Sequence, residues 1–166
     1  MTAAGPAPGP VEHMSLAEPG RVDFYVLAAA DAAARLRYAC RLAEKAWRLR
    51  HRVHLHAASA GQAAQLDDLL WTFRQGSFVP HEVLAAGAAG ATSSSPVTIG
   101  HGPASPPAAD LLVNLADELP EFVAAFPRVA EIIDETGTGR QLGRERFRRY
   151  RQAGRAIETH EIGAEP

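Results

Sequence analysis

Seven arginines fall between positions 140 and 155, and that concentration is the strongest chemical signal in the chain. Arg140, Arg144, Arg146, Arg148, Arg149, Arg151 and Arg155 supply seven of the 17 basic residues, with Glu145 as the one acid among them. Arginine suits anion recognition because its planar fork pairs bidentately with carboxylates and phosphates. On a helix turning roughly 100° per residue, Arg144, Phe147, Arg148, Arg151 and Arg155 share one face. Leu142, Tyr150 and Ala153 lie on the other side, read as the packed face. A cationic stripe with one aromatic at its centre fits a ligand that is both anionic and apolar. The plainer reading is a solvated face laced with salt bridges, and the shortage of acids within the helix counts against it. An acidic peptide and a nucleic-acid backbone both match. One such helix would reach only a few phosphates and bind them weakly and salt-sensitively. Composition alone does not separate the two ligands.

Other constellations carry less chemistry. Gly137-x-Gly139-x-x-x-Gly143 follows a strand and opens that helix, the setting of a dinucleotide fingerprint. Its third glycine comes one residue late, and no acid follows a further strand to hold a ribose, so a flexible turn is expected. His54 and His56 point to one side of a strand, a spacing a metal could use, with His51 close by. No acid or cysteine completes a shell, and a packed or solvated strand face is the reading. His81-Glu82 lacks the second histidine of a zinc-protease helix, and Ser93-Ser94-Ser95 lacks the glycine-framed nucleophile turn. The phosphate-loop pattern is absent. No catalytic constellation emerges, and neither cofactor nor metal is expected.

The elements that must position the arginines follow from periodicity. Val22-Asp23-Phe24-Tyr25-Val26-Leu27 is a β-branched and aromatic run that predicts a strand. Asp31 caps a helix whose apolar positions Leu36, Ala39, Cys40, Ala43 and Trp47 recur at spacings of three and four. A second strand spans 52–57, and Ser59 caps a helix running to Trp71 with Leu66, Leu69 and Leu70 inward. Strand–helix–strand–helix order favours an α/β domain with a largely parallel sheet. Phe73 to Pro80 is an aromatic connector, because Pro80 cannot sit in a central strand. Residues 85–109, dominated by Ala, Gly, Ser and Pro, form a flexible loop in which only Pro96 to Ile99 could be a short strand. A buried strand over 110–115, a short helix from Pro120, a strand over 129–134 and the arginine helix over 140–153 complete the domain. It spans 21–155, between a disordered N-terminal tail (1–20) and a C-terminal tail (156–166).

The chain's charge is not globally basic. With 17 Lys and Arg against 19 Asp and Glu the net charge is −2, so any electrostatic function rests on local clustering. Cys40 is the one cysteine, which excludes an internal disulfide and a cysteine metal cage; it reads as a small core residue in a reducing compartment. The first twenty residues lack a secretory signal's basic start and apolar run, and no stretch of about eighteen apolar residues could span a membrane. A cytoplasmic protein is expected.

Three blocks together resemble a known family. VDFYVL with a helix ending EKAWR, then LDDLLWTFRQGSFVPH, then RERFRRYRQAG, in this order over roughly 22–154, look like the chi subunit of bacterial DNA polymerase III, an accessory protein of the clamp loader. The resemblance implies a Rossmann-like three-layer fold with a mainly parallel central sheet and no bound nucleotide. It implies a non-catalytic replication adaptor whose last helix receives the acidic, phenylalanine-ended C-terminal tail of single-stranded-DNA-binding protein. Arg144, Phe147 and Arg148 stand where the family has Arg, Tyr and Lys at the tail site, with Arg151 on the same face. Phe147 keeps the apolar contact and loses the tyrosine hydroxyl. Trp71, Phe78 and Pro80 match the family's surface for the psi subunit, or for a helicase. They fit an apolar patch equally well as they fit ordinary core. Nucleic acid would then be met only indirectly; the direct single-strand binder using the same helix is the alternative.

Overall fold

The computed structural model describes residues 20–28, 31–85 and 93–163. Its frame is a seven-stranded sheet in the order β3-β4-β2-β5-β6-β1-β7, with every neighbouring pair parallel. The strands are β1 (Arg21–Leu27), β2 (Val53–Ala57), β3 (His81–Val83), β4 (Val97–His101), β5 (Leu111–Asn114), β6 (Arg128–Ile133) and β7 (Ala156–Ile162). The helices are α1 (Ala32–Arg48), α2 (Ala60–Thr72) and α3 (Gly137–Gln152), and a 3-10 turn covers Glu121–Ala125. Parallel strands need crossovers, and α1, α2 and α3 supply three of them.

Two apolar layers sandwich the sheet because successive strand residues point to opposite faces. Leu36, Ala39, Cys40 and Ala43 of α1 and Ala63, Leu66 and Leu70 of α2 pack with Leu27, Leu55, Val113 and Ile132 on one side. Val22, Phe24, Leu112, Val129 and Ile133 pack on the other with Phe122, Phe126 and Tyr150. Helices α1 and α2 therefore cover one face, and α3 with the 3-10 turn covers the other. This is the three-layer α/β architecture expected.

Both predicted caps form. The Asp31 carboxylate accepts from Ala33 N at 2.9 Å. The Ser59 hydroxyl accepts from Gln62 N at 3.1 Å, while the Gln62 amide oxygen accepts from Ala58 N at 2.8 Å. Such caps satisfy amides that a helix start leaves without partners.

The boundaries differ in three places, and one short strand left open by the sequence forms. The segment expected as a C-terminal tail forms β7, paired in register with β1 from Arg21↔Ala156 to Leu27↔Ile162. Its side chains are mostly exposed, as suits an edge strand held by backbone pairing rather than by an apolar face. The short strand allowed at Pro96 to Ile99 forms as β4, two residues longer at its end, with Val97 and Ile99 fully buried; residues 86–92 of the segment expected as a flexible loop over 85–109 lie outside the described residues. His81–Val83, directly after Pro80, adds β3 at the opposite edge. Helix α3 begins three residues early. Thr136 caps it by accepting from Gly139 N at 2.9 Å, so the glycine-rich turn is the helix's own first turn. The expected N-terminal tail lies outside the described residues up to position 19.

Candidate functional site

The arginine helix divides by burial into an anchoring face and a free face. Arg146 and Tyr150 point inward and are almost fully buried. They converge on Glu131 of β6, which is 0% exposed. Arg146 Nη1 donates to Glu131 Oε1 at 2.8 Å, Tyr150 Oη to Oε2 at 2.6 Å, and Asn114 Nδ2 to Oε2 at 3.0 Å. Arg146 Nη2 also donates to the carbonyls of Ala116, at 2.6 Å, and Asp117. A buried carboxylate is costly unless its lone pairs are filled, and here three donors fill them. Burial, then the adjacent Glu131 charge, raises the Tyr150 hydroxyl well above its ordinary range, so it stays a donor. Gly143 lets the helix lie close to β6: a Cβ there would sit 3.2 Å from Ile133 Cδ1.

Two arginines of the cluster, one of them read as part of the stripe, do other work. Arg146 belongs to this buried network. Arg155 follows the helix end, and its guanidinium turns inward to donate to Val123 O at 2.9 Å and Phe126 O at 3.0 Å. Arg140 pairs with Glu135. Arg144, Arg148, Arg149 and Arg151 remain exposed, and among the described residues none of the four makes an ion pair or a side-chain hydrogen bond. The expected face thus keeps Arg144, Arg148 and Arg151. Phe147 borders it half-buried, its ring 5.7 Å from Phe24. It offers one apolar edge beside three free guanidinium groups.

The second set lies across the molecule, where α2 runs into β3. Trp71 is 54% exposed and Phe78 70%, and Pro80 is exposed as well. These are surface residues, which decides between the patch and the core readings. Polar contacts hold the backbone beneath them. Glu44 of α1, itself buried, accepts from Ser77 Oγ at 2.6 Å and pairs with Arg74. His81 lies under Trp71 with ring centroids 4.7 Å apart.

The histidines of β2 are packed. His54 lies 6.2 Å from Phe122 and 6.4 Å from Phe126, and His56 lies 5.1 Å from Phe122. Burial pushes the His54 ring down to about 3 and His56 to about 4, so both are neutral. His51 stands apart, 3.7 Å from Asp110.

Spacing alone could not reveal Glu131, Asn114, Glu44 or Asp67 as partners. Glu131 did carry a signal: a lone acid inside the apolar run Val129 to Ile133 demands a buried donor.

Comparison with known proteins bears on the fold and the family. Among solved structures the fold is similar to T4 UvsW, with a TM-score of 0.60 at 9% identity over 86% of this chain and 41% of that one. Dbp5 from S. cerevisiae gives 0.52 at 11% identity over 87% and 42%. The chain spans about two fifths of each, and the likeness is one of fold. Sequence relatives are nearer. DNA polymerase III subunit chi of Pseudomonas aeruginosa is 45% identical over 142 residues, covering 86% of this chain and 96% of the relative. The subunit of the same name from Escherichia coli is 33% identical over 72% of this chain and 80% of the relative, and that of Haemophilus influenzae 29% over 75% and 85%. The family model for the DNA polymerase III chi subunit, HolC, matches residues 20–158, which takes in the anchored arginine helix, the exposed Trp71 corner and the start of β7. The chain therefore belongs to the DNA polymerase III chi subunit family, a family of non-catalytic replication accessory subunits.

Proposed function

We propose that this subunit is an adaptor that links the polymerase III clamp loader to single-stranded-DNA-binding protein by gripping that protein's acidic C-terminal tail. The observation that carries the reading is the free face of α3. Arg144, Arg148 and Arg151 are exposed and, among the described residues, have no acid to pair with, beside the half-buried ring of Phe147. Aspartates of a tail would meet the guanidinium groups, and a terminal aromatic would rest on the Phe147 edge. Exposed charge pairs of this kind are screened by salt, so binding should weaken as ionic strength rises. The apolar corner of Trp71, Phe78 and Pro80 would serve a second protein, the psi subunit where present or a helicase, because exposed aromatics rimmed by polar groups are characteristic of protein interfaces.

A direct single-strand binder would use the same cations. It is disfavoured by the single aromatic on that face, since stacking platforms present several rings to successive bases. Titration of a tail peptide and of a phosphate-rich oligonucleotide separates the two. The peptide should bind in the micromolar range, and Arg144→Glu should weaken it at least about tenfold by replacing a charge-assisted contact with repulsion. Equal peptide binding by wild type and Arg144→Glu would remove the assignment. Tighter binding of the oligonucleotide than of the peptide would favour the other reading.

A further inference from the structure

We propose that Asp67 and His81 form a positioning pair that fixes the indole of Trp71 for docking. This inference rests on the reading of Trp71, Phe78 and Pro80 as a partner surface and deepens it. Trp71 lies one turn beyond Asp67 on α2, so its indole and the Asp67 carboxylate project from the same side of the helix. The His81 ring fills the space beneath them. Its side chain is 1% exposed, whereas Asp67 is 39% exposed. His81 Nε2 lies 2.8 Å from Asp67 Oδ1, and Nδ1 lies 2.7 Å from Val79 O. Both ring nitrogens therefore face acceptor oxygens, and turning the ring over would lose both contacts. The indole packs on this fixed ring at a centroid distance of 4.7 Å and an interplanar angle of 55°.

An aromatic residue half out in solvent has no core of its own to choose its rotamer. A partner that must order it loses affinity in doing so. Here the rotamer is chosen beforehand by a buried imidazole, which is in turn held from both α2 and the connector before β3. The same ring tethers Val79, which is fully buried, between the exposed Phe78 and Pro80. A single polar contact set thus holds all three docking residues in register. His81 acts through Trp71 and touches no partner, so its role is to position.

Trp47 and Trp71 are the two tryptophans, so in a Trp47→Phe background time-resolved fluorescence anisotropy reports Trp71 alone. Without further change the indole should depolarise only as the whole molecule tumbles. Asp67→Ala and His81→Phe should each add a fast local component. Asp67→Asn, whose Oδ1 can still accept from Nε2, should restore the rigid signal. Titration against the clamp-loader subunits of the same organism should show Asp67→Ala and His81→Phe weakened about fivefold, the scale of one side chain left to be ordered on binding. Trp71→Ala should be weaker still. Asp67 is partly exposed on a helix, so its replacement leaves the fold intact even should His81→Phe disturb β3. An indole equally immobile in Asp67→Ala would overturn the pair, as would unchanged affinity in both variants while Trp71→Ala binds weakly. If Trp71→Ala binds normally, the partner-surface reading falls, and anisotropy alone upholds or overturns the pair.

Discussion

The free face of α3 and the Trp71 corner, the two surfaces proposed for recognition, both rest on buried polar anchors, but the anchors differ in how far their partners lie from solvent. Beneath the arginines, Glu131 is fully enclosed, and its donors come from β5 and from α3 itself. At the tryptophan corner Glu44 and His81 are buried too, but their partners Arg74 and Asp67 reach them from solvent. An anchor built into the core cannot be altered without cost to the fold. One at the rim can change while the domain stays folded. The cationic surface is accordingly tied to stability, and the apolar surface is separable from it.

Breaking the deeper anchor should produce the largest effect. Glu131→Ala leaves the Arg146 guanidinium buried without its carboxylate and strips partners from Tyr150 and Asn114. Removing one member of a buried pair costs about 3–5 kcal/mol. Urea unfolding should show that loss, and with it tail binding should fall in proportion to the misplacement of α3. A midpoint shift worth less than about 1 kcal/mol would mean the network is not the anchor inferred here.

Acid should sharpen the contrast next. His54 and His56 lie on the α3 side of the sheet, against Phe122 and Phe126, and their folded-state values of about 3 and about 4 are far below the ordinary histidine value. In the unfolded chain they take up protons below about pH 6.5, whereas in the fold they stay neutral. Their contribution is therefore complete above pH 6.5 and is lost as the pH falls toward 4. Between pH 7 and 5.5 stability should fall by roughly 2 kcal/mol through linkage. Urea midpoints at the two values test this, and a His54→Leu, His56→Leu double variant should flatten the dependence.

The same contrast governs how much could be read before folding. The order of strands and helices apart from β3 and β7, the caps at Asp31 and Ser59, and the stripe of Arg144, Arg148 and Arg151 follow from local periodicity and were legible. Spacing leaves Arg146 off the stripe but does not show what buries it, because that is Glu131, fifteen residues away and on another element. Arg155 was placed by geometry on a helix that ends before it; the carbonyls of Val123 and Phe126 claim it instead. Strand β7 escaped notice because an edge strand is defined by pairing with β1, and only Ile157, His160 and Ile162 are even half-buried. Trp71 and Phe78 stood undecided between core and surface. Aromatic content is the same in both, and only the packing of α2 against β3 and β4 turns these rings outward.

The smallest expected change in stability comes from the shallow side of the comparison and tests it most sharply. Phe78 is 70% exposed and lies between Ser77 and Val79, which are both buried. Its ring contributes little to the core, so Phe78→Ser should alter unfolding by less than about 0.5 kcal/mol, the range of ordinary surface substitutions. Its backbone is held by neighbours the substitution does not touch: Ser77 on Glu44, and Val79 on the His81 ring. Association with clamp-loader subunits should nonetheless weaken, because an exposed aromatic of this size supplies contact area that serine cannot. Tail-peptide binding at α3 should be unchanged, since the two surfaces lie on opposite sides of the sheet and share no side chain. A variant that lost stability and both binding activities together would show that the corner and the arginine helix are one cooperative unit, and that the difference in anchor depth does not separate them.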